Sequence, residues 1–275
     1  MEYSGISHRG MVRTHNEDNA FAMTMEIYGL DSFSCGLFIV CDGVGGEACG
    51  EIASRLAVKV TSQKVMESLS LLDTDNLEFE QVLQSAIKAA NKAVIGKMKE
   101  SPKYEGMATT ISAVLAIDCK AYIGQVGDSR TYIFGPQLFC SKDHSLVQEE
   151  VEKNILTKEE ARLNSKRSII TRALGIDPHV EIDTYTHPLY AESTILVCSD
   201  GLWEELSDAE IEKIVSDYSS PREISKALQK TANKRGGHDN ISMVVVQNKD
   251  LPKREELKKS QTIIASVKEQ KTMWR

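Results

Sequence analysis

No apolar run in this 275-residue chain approaches the ~20 residues that a bilayer-spanning helix requires. The opening, Met1-Glu2-Tyr3-Ser4-Gly5-Ile6, is acidic and short of apolar side chains, so it does not read as a signal peptide, and a cytoplasmic location is expected. There is no CxxC pair among the six cysteines, Cys35, Cys41, Cys49, Cys119, Cys140 and Cys198. A zinc site needs closer spacing, so these read as reduced thiols, with Cys41 and Cys198 inside apolar strands. Neither a GxxxxGK[ST] motif nor a kinase-type glycine loop is present, which speaks against transfer from a nucleotide. Positive charge is outnumbered, 33 Lys/Arg against 40 Asp/Glu. The net charge of −7 argues against nucleic acid as a main partner. The imbalance is uneven: residues 251–275 carry seven Lys/Arg and three Asp/Glu, leaving −11 on the first 250.

What remains is the composition of an ordinary soluble globular protein, 41% hydrophobic and 27% charged. Phe38-Ile39-Val40-Cys41 reads as a buried strand that closes on Asp42, followed by Gly43, Gly45 and Gly46. A carboxylate at the tip of a rigid strand, beside backbone that can turn sharply, suits a metal site; Asp-Gly is also a plain turn dipeptide. Apolar spacing predicts helices from Glu47 to Ser70 and from Phe79 to Met98, with a polar connection between them. Short β-branched runs at Thr109–Ile117 and Ala121–Val126 predict a hairpin, and Thr131–Phe134 a third strand. Residues 143–175 are helical in pattern and highly charged, with a capping box at Thr157–Glu160, and read as a surface flap. Ile195–Ser199 is a strand ending at Asp200-Gly201. Helices follow at Asp208–Asp217 and Pro221–Arg235, then Gly236-Gly237-His238-Asp239-Asn240 and a last strand, Ile241–Val246. The Lys/Glu-rich tail, 249–275, predicts a weakly held helix or a disordered extension.

Four acids, Asp42, Asp128, Asp200 and Asp239, thus stand at strand ends beside glycines. Several antiparallel strands can bring such ends to one edge. Carboxylates packed there repel and resist ionisation unless cations fill the cluster. With oxygen donors only, the expected ions are Mg²⁺ or Mn²⁺. Two such ions can activate a water and clamp a phosphoryl group for in-line attack. In the polar stretch from Ser7 to Asn19, Arg13 can fork onto a phosphate while Glu17 and Asp18 help hold a cation; a solvated loop with local ion pairs is the plainer reading.

Six motifs appear in order: Arg13-x-x-Asn16-Glu17-Asp18, Asp42-Gly43-x-Gly45-Gly46, Gly106-Met107-Ala108-Thr109-Thr110, Gly127-Asp128-Ser129-Arg130, Ser199-Asp200-Gly201 and Gly237-His238-Asp239-Asn240. In this order and spacing the chain resembles the metal-dependent (type 2C) serine/threonine protein phosphatases in their compact bacterial-style form. The resemblance implies an α+β, four-layer αββα sandwich, two central antiparallel β-sheets flanked by helices, over residues 1–248. It implies that Asp42 bridges two Mn²⁺ or Mg²⁺ ions, that Asp200 and Asp239 complete the first site, and that the Gly43 carbonyl and Glu17 serve the second. Asp128 with Asp200 matches a third, weaker site. Arg13 matches the phosphate-binding arginine, and Asp18 and Asn240 match residues that orient ligands and waters. Arg13, Asp42 and Asp239 are the catalytic set. The implied activity is hydrolysis of phosphoserine and phosphothreonine in proteins by a monomer that opposes a serine/threonine kinase and acts on its targets. A catalytically weak regulatory scaffold of the same fold is the alternative. Val44 stands where animal members carry a histidine, so the proton donor to the leaving group is unassigned, and His238 reads as a loop residue beside a ligand.

Overall fold

A computed structural model describes residues 1–27, 33–44, 49–70 and 78–251. Twelve strands and seven α-helices follow in chain order: β1 (Glu2–His8), β2 (Asn19–Ile27), β3 (Phe33–Cys41), β4 (Gly43–Val44), α1 (Gly50–Ser70), α2 (Phe79–Met98), β5 (Ala108–Thr109), β6 (Ile111–Ile117), β7 (Lys120–Val126), β8 (Arg130–Phe134), β9 (Phe139–Cys140), α3 (Leu146–Glu152), α4 (Lys158–Leu163), β10 (Asp183–Pro188), β11 (Thr194–Cys198), α5 (Asp200–Trp203), α6 (Asp208–Asp217), α7 (Pro221–Arg235) and β12 (Ile241–Gln247). One five-stranded sheet runs β1-β12-β11-β8-β9 and the other β10-β7-β6-β3-β2, while β4 and β5 form a short ribbon.

Alternation along the strands builds the layers. In β3, Phe38 and Val40 point between the sheets and meet Ile133, Ile195, Val197, Val244 and Val246 of the opposite sheet. Leu37, Ile39 and Cys41 point the other way, onto Ala57, Val65 and Leu69 of α1 and Leu83, Ile87 and Ala90 of α2. The second sheet repeats the scheme. Leu196, Cys198, Met243 and Val245 face Leu202, Ile211, Ile224 and Leu228 of α5–α7. Both faces of these strands are covered, which is why they read as continuous apolar runs rather than as alternating ones. The order is therefore helix, sheet, sheet, helix, as the resemblance implies.

Several expectations shift in detail. The run Thr109–Ile117 is two strands: Thr109 pairs with Gly43 in the ribbon, and β6 starts at Ile111. Asp200 is the first residue of α5 rather than the last of a strand. The edge strands β9 and β10 carry too little apolar pattern to be predicted. The capping box at Thr157 and Glu160 is present. The flap segment is polar, but its return is anchored: Leu174 is fully buried and exchanges backbone hydrogen bonds with Thr109. All six cysteines are free. Among the described residues no helix is long and apolar enough to cross a membrane. Gly45, Gly46 and Glu47, most of the connection after Ser70, and the tail from residue 252 lie outside the described residues.

Candidate metal and phosphate site

Strand register brings the predicted residues to one end of the sandwich. In the first sheet, His8 pairs with Ile241 and Cys198 with both Met243 and Arg130. In the second, Asn19 pairs with Cys41 and Ile111 with Val126. At this end the chain passes between the sheets three times, from β1 to β2 through residues 9–18, from β7 to β8 through Gly127-Asp128-Ser129 and from β9 to β10 through the long segment that holds the flap. Asp42 leaves β3 here, Asp200 follows β11 and Asp239 precedes β12.

The carboxyls are close enough to govern one another's ionisation. Burial pushes Asp42 well above the usual carboxylate range, and Asp18, Asp200 and Asp128 add to the shift. Burial does the same to Asp200, reinforced by Asp128, Asp239 and Glu204. Asp42 and Asp200 act on each other's ionisation in this way. Asp128, 2% exposed, is pushed up to about 7 by burial and by Asp143, with Arg130 opposing. Asp18 also rises to about 7 through burial, although the hydroxyls of Ser199 and Ser242 favour its charged form. One carboxylate oxygen each of Asp18 and Asp200 is buried with no hydrogen-bond partner. These are the signs of an acidic cradle that lacks positive charge.

Asp42 is held by its backbone. Its N–H donates to Thr110 Oγ1 at 2.9 Å, and its carbonyl accepts from Thr110 N–H at 2.8 Å and from Thr109 Oγ1 at 2.7 Å. Thr110 Oγ1 in turn meets Ser129 Oγ at 2.7 Å. The Gly106–Thr110 motif was recognisable in the sequence but carried no role there. Here its two threonines clamp the strand tip. Gly43 follows, and a Cβ on it would lie 2.3 Å from the Gly50 backbone and 2.7 Å from the Glu17 carbonyl. Only glycine lets the Asp42 turn, the start of α1 and the Glu17 loop approach so closely.

Arg13 and Glu17 come from the loop between β1 and β2. The Arg13 guanidinium donates to Asp239 Oδ2 at 2.6 Å. Burial lowers the arginine's pKa, but Asp239, Asp200 and Asp42 outweigh it and raise the net value. Burial lifts the Glu17 carboxyl, which Arg13 partly offsets. Asn240 shapes this loop from below. Its amide donates to the carbonyls of Arg9 and His15, both at 2.9 Å, and its oxygen accepts from Glu17 N–H at 2.8 Å. Ser199 Oγ donates to Asp18 at 2.8 Å, and Trp203 Nε1 donates to the Asp128 carbonyl at 3.0 Å. Arg130 stacks 3.8 Å over the Trp203 ring and forks onto Asp143 at 2.8 and 2.7 Å.

The nine predicted site residues, Arg13, Glu17, Asp18, Asp42, Gly43, Asp128, Asp200, Asp239 and Asn240, lie at one sheet end, with Asn240 bracing the loop that carries Arg13 and Glu17. His238 does not join them: its ring is 71% exposed and pairs with Glu205 at 2.7 Å. Val44 is exposed on the ribbon. Among the described residues no three Asp, Glu, His or Cys side chains converge closely enough to hold an ion as placed. From the flap, Arg167 Nε reaches Glu204 at 3.3 Å, one turn of helix beyond Asp200.

Residues 3–241 match the family model described as protein phosphatase 2C. The serine/threonine phosphatase stp of Listeria innocua is 34% identical over 241 residues, covering 87% of this chain and 92% of that protein. Among solved structures, the Mycobacterium tuberculosis serine/threonine phosphatase PstP/Ppp superposes with a TM-score of 0.77 at 31% identity, over 91% of this chain and 98% of that one. The catalytic domain of PstP in complex with two manganese ions gives a TM-score of 0.72 at 31% identity, over 90% and 97% of the two chains.

Proposed function

The chain belongs to the protein phosphatase 2C family, and from that premise we propose that it removes phosphate from phosphoserine and phosphothreonine in proteins, using Mn²⁺ or Mg²⁺. The observation that carries the reading is the cluster of Asp18, Asp42, Asp128 and Asp200, each pushed far toward its neutral form, with two buried carboxylate oxygens unpartnered. Such a set fits hard divalent cations: its donors are all oxygen, and the repulsion within it is what cations relieve. Asp42, Asp200 and Asp239 would hold one ion, Asp42, the Gly43 carbonyl and Glu17 a second, and Asp128 with Asp200 a third, weaker one. Bound there, the ions supply Lewis acidity, offsetting phosphate charge and making water a better nucleophile. The chain's own residues do the rest. Arg13, 53% exposed at the side chain and next to Asp239, is placed to receive phosphate oxygens. Asp18 and Asn240 fix the ligands and the loop. Thr109 and Thr110 keep Asp42 from turning away. The proton donor to the leaving group stays unassigned on Val44, which has no proton to give.

Residues 1–248 form the catalytic domain in this reading, with the flap at about 143–175 and the basic tail at 249–275. The protein acts as a cytoplasmic monomer on phosphoprotein substrates, opposing a serine/threonine kinase and its targets. The test is hydrolysis of p-nitrophenyl phosphate and phosphothreonine peptides with Mn²⁺, together with Mn²⁺ calorimetry. Activity should vanish in excess chelator, and Asp42→Ala or Asp239→Ala should abolish both turnover and the tight binding heat. Unchanged turnover in chelator would sink the mechanism. Absence of Mn²⁺ binding to the wild-type chain would favour the regulatory scaffold instead.

A further inference from the structure

The turn that delivers Asp128 is held from an unexpected direction. Gly127 sits at φ +98°, and a Cβ there would lie 2.6 Å from the Thr110 side chain. Two reciprocal hydrogen bonds fix this strained turn, and both come from His144, at the base of the flap. His144 N–H donates to the Gly127 carbonyl at 2.9 Å. Gly127 N–H donates to His144 Nδ1 at 3.1 Å. Because Nδ1 accepts, the ring proton lies on Nε2, which faces Asp183 Oδ2 of β10 at 3.3 Å. Asp183 is fixed in turn by Arg172 Nη1 at 2.9 Å and by the Tyr185 hydroxyl at 3.3 Å. The His144 carbonyl also accepts from Thr171 N–H at 2.8 Å. One 6% exposed side chain thus joins the Asp128 turn, the start of the flap at 144, its return at 171–172 and the edge strand β10.

We propose that His144, in its neutral form, is a positioning residue for Asp128, which it keeps aimed into the acidic cradle through the Gly127 turn while tying both ends of the flap to that turn. This inference rests on the phosphatase reading for the meaning of Asp128. Chemistry makes the neutral form necessary. A second proton would have to sit on Nδ1, setting N–H against the Gly127 N–H and breaking one of the two bonds. The charged groups facing the ring are Asp183 from β10, Arg172 from the flap return, whose Nη1 lies 3.4 Å from Nε2, and Asp143 beside it in sequence. Burial lowers the ring's pKa, and Arg172 helps, against the opposite pull of Asp183 and Asp143. Burial opposes ionisation of Asp183, yet His144 and Arg172 hold its pKa below the ordinary value.

The experiment compares wild type, His144→Ala, His144→Asn and Asp128→Asn, with His144→Ala/Asp128→Asn closing the cycle. Asn places an acceptor where Nδ1 stands and does not titrate. In the metal-free protein, exchange of the Gly127 amide is read by NMR. Its protection, taken relative to the intrinsic rate at each pH, should fall in His144→Ala and on acidifying wild type below the ordinary imidazole range, and stay high in His144→Asn at both pH values. With Mn²⁺, His144→Ala should lower kcat/KM on a phosphothreonine peptide by about 10–100-fold, the usual scale for a group that orients a ligand. The same change in the Asp128→Asn background should cost less than about 3-fold, since the residue acted through Asp128. His144→Asn should recover most of the loss and flatten the acid limb of the pH profile. Equal losses in both backgrounds, an acid limb unchanged in His144→Asn, or Gly127 exchange unmoved in His144→Ala would each overturn the inference. A wild-type chain with no Mn²⁺-dependent turnover would instead overturn the phosphatase reading, while the exchange result would still stand on its own.

Discussion

Arg13 reaches Asp239 at 2.6 Å with about half of its side chain in solvent, and Asp239 is 27% exposed. An ion pair this open contributes about 0–1 kcal/mol to stability, so the arginine is not there to hold the fold. Its worth lies in what its fork can grip. Charge-assisted, two-point hydrogen bonds to a phosphate contribute about 1.5–3 kcal/mol, and each 1.4 kcal/mol is about tenfold in equilibrium. Arg13→Ala should therefore leave the melting temperature within a few degrees of wild type and cut kcat/KM on a phosphothreonine peptide by about 10–100-fold. Arg13→Lys keeps the charge without the planar fork, so it should fall between the two. Steady-state kinetics beside thermal unfolding checks both. A large stability loss with normal kinetics would make Arg13 a structural ion pair only.

Helix α6 shows how a local cap and a long-range contact combine. Glu210 Oε2 accepts from Ser207 N–H at 2.9 Å and from Ser207 Oγ at 2.7 Å, closing the helix start. Arg235, in the last turn of α7, forks onto the same carboxylate. These partners, Arg235 first and then Ser207, pull the Glu210 pKa down to about 2. A depressed carboxylate stabilises the fold above its unfolded pKa, near 4.3, and that contribution is lost as pH falls toward 2. The side chain is 40% exposed, so solvent screening keeps the effect to about 1 kcal/mol. Glu210→Gln should lower stability by that amount at pH 7, and the gap from wild type should close between about pH 4.5 and 2, read by thermal unfolding across pH. A gap constant down to pH 2 would mean that charge plays no part. A cap of this kind was legible in the sequence at Thr157 and Glu160. The central strands were legible because both of their faces are covered. What escaped notice had weak local signal. The four residues of α5 are too few to show a helical period, so Asp200 read as a strand end. Strand β10, Asp-Thr-Tyr-Thr-His-Pro, is a partly exposed edge without an apolar run. Asp42, Asp128 and Asp200 could be found because each stands beside a glycine, and Asp239 because two glycines shortly precede it. Thr110 and His144 could not, because their partners, Asp42 and Gly127, lie 68 and 17 residues away and only the folded register brings them together.

On the scale of the whole molecule, the described chain ends at the pole opposite the site. Strand β12 enters at Ile241, beside the carboxyl cluster, and leaves at Gln247, which pairs with Glu2 and Thr194. At ~3.4 Å per residue that carries the chain ~20 Å from the cradle. Leu251, the last described residue, packs at that far end with Phe139 and Tyr185 against the inter-sheet cluster. Among the described residues, the sheets, their helices and the three large core clusters are all built from the chain up to this point. The residues beyond it carry a net charge of +4, against −11 for the rest. Twenty-four residues at ~3.5 Å each could in principle span ~80 Å, so reach alone does not decide whether they return to the acidic end. The point from which they leave the described chain argues that chemistry at the cradle proceeds without them. Truncation after Leu251 should leave p-nitrophenyl phosphate turnover with Mn²⁺ within about twofold of the full chain and the unfolding temperature within a few degrees, on the scale of an exposed-site change. Added salt separates the alternatives. If the basic tail does press on the acidic end, truncation will change turnover at low ionic strength and the change will fade as salt screens the attraction over a Debye length of about 10 Å at 0.1 M. A loss of turnover that persists in high salt would place tail residues within the catalytic machinery itself.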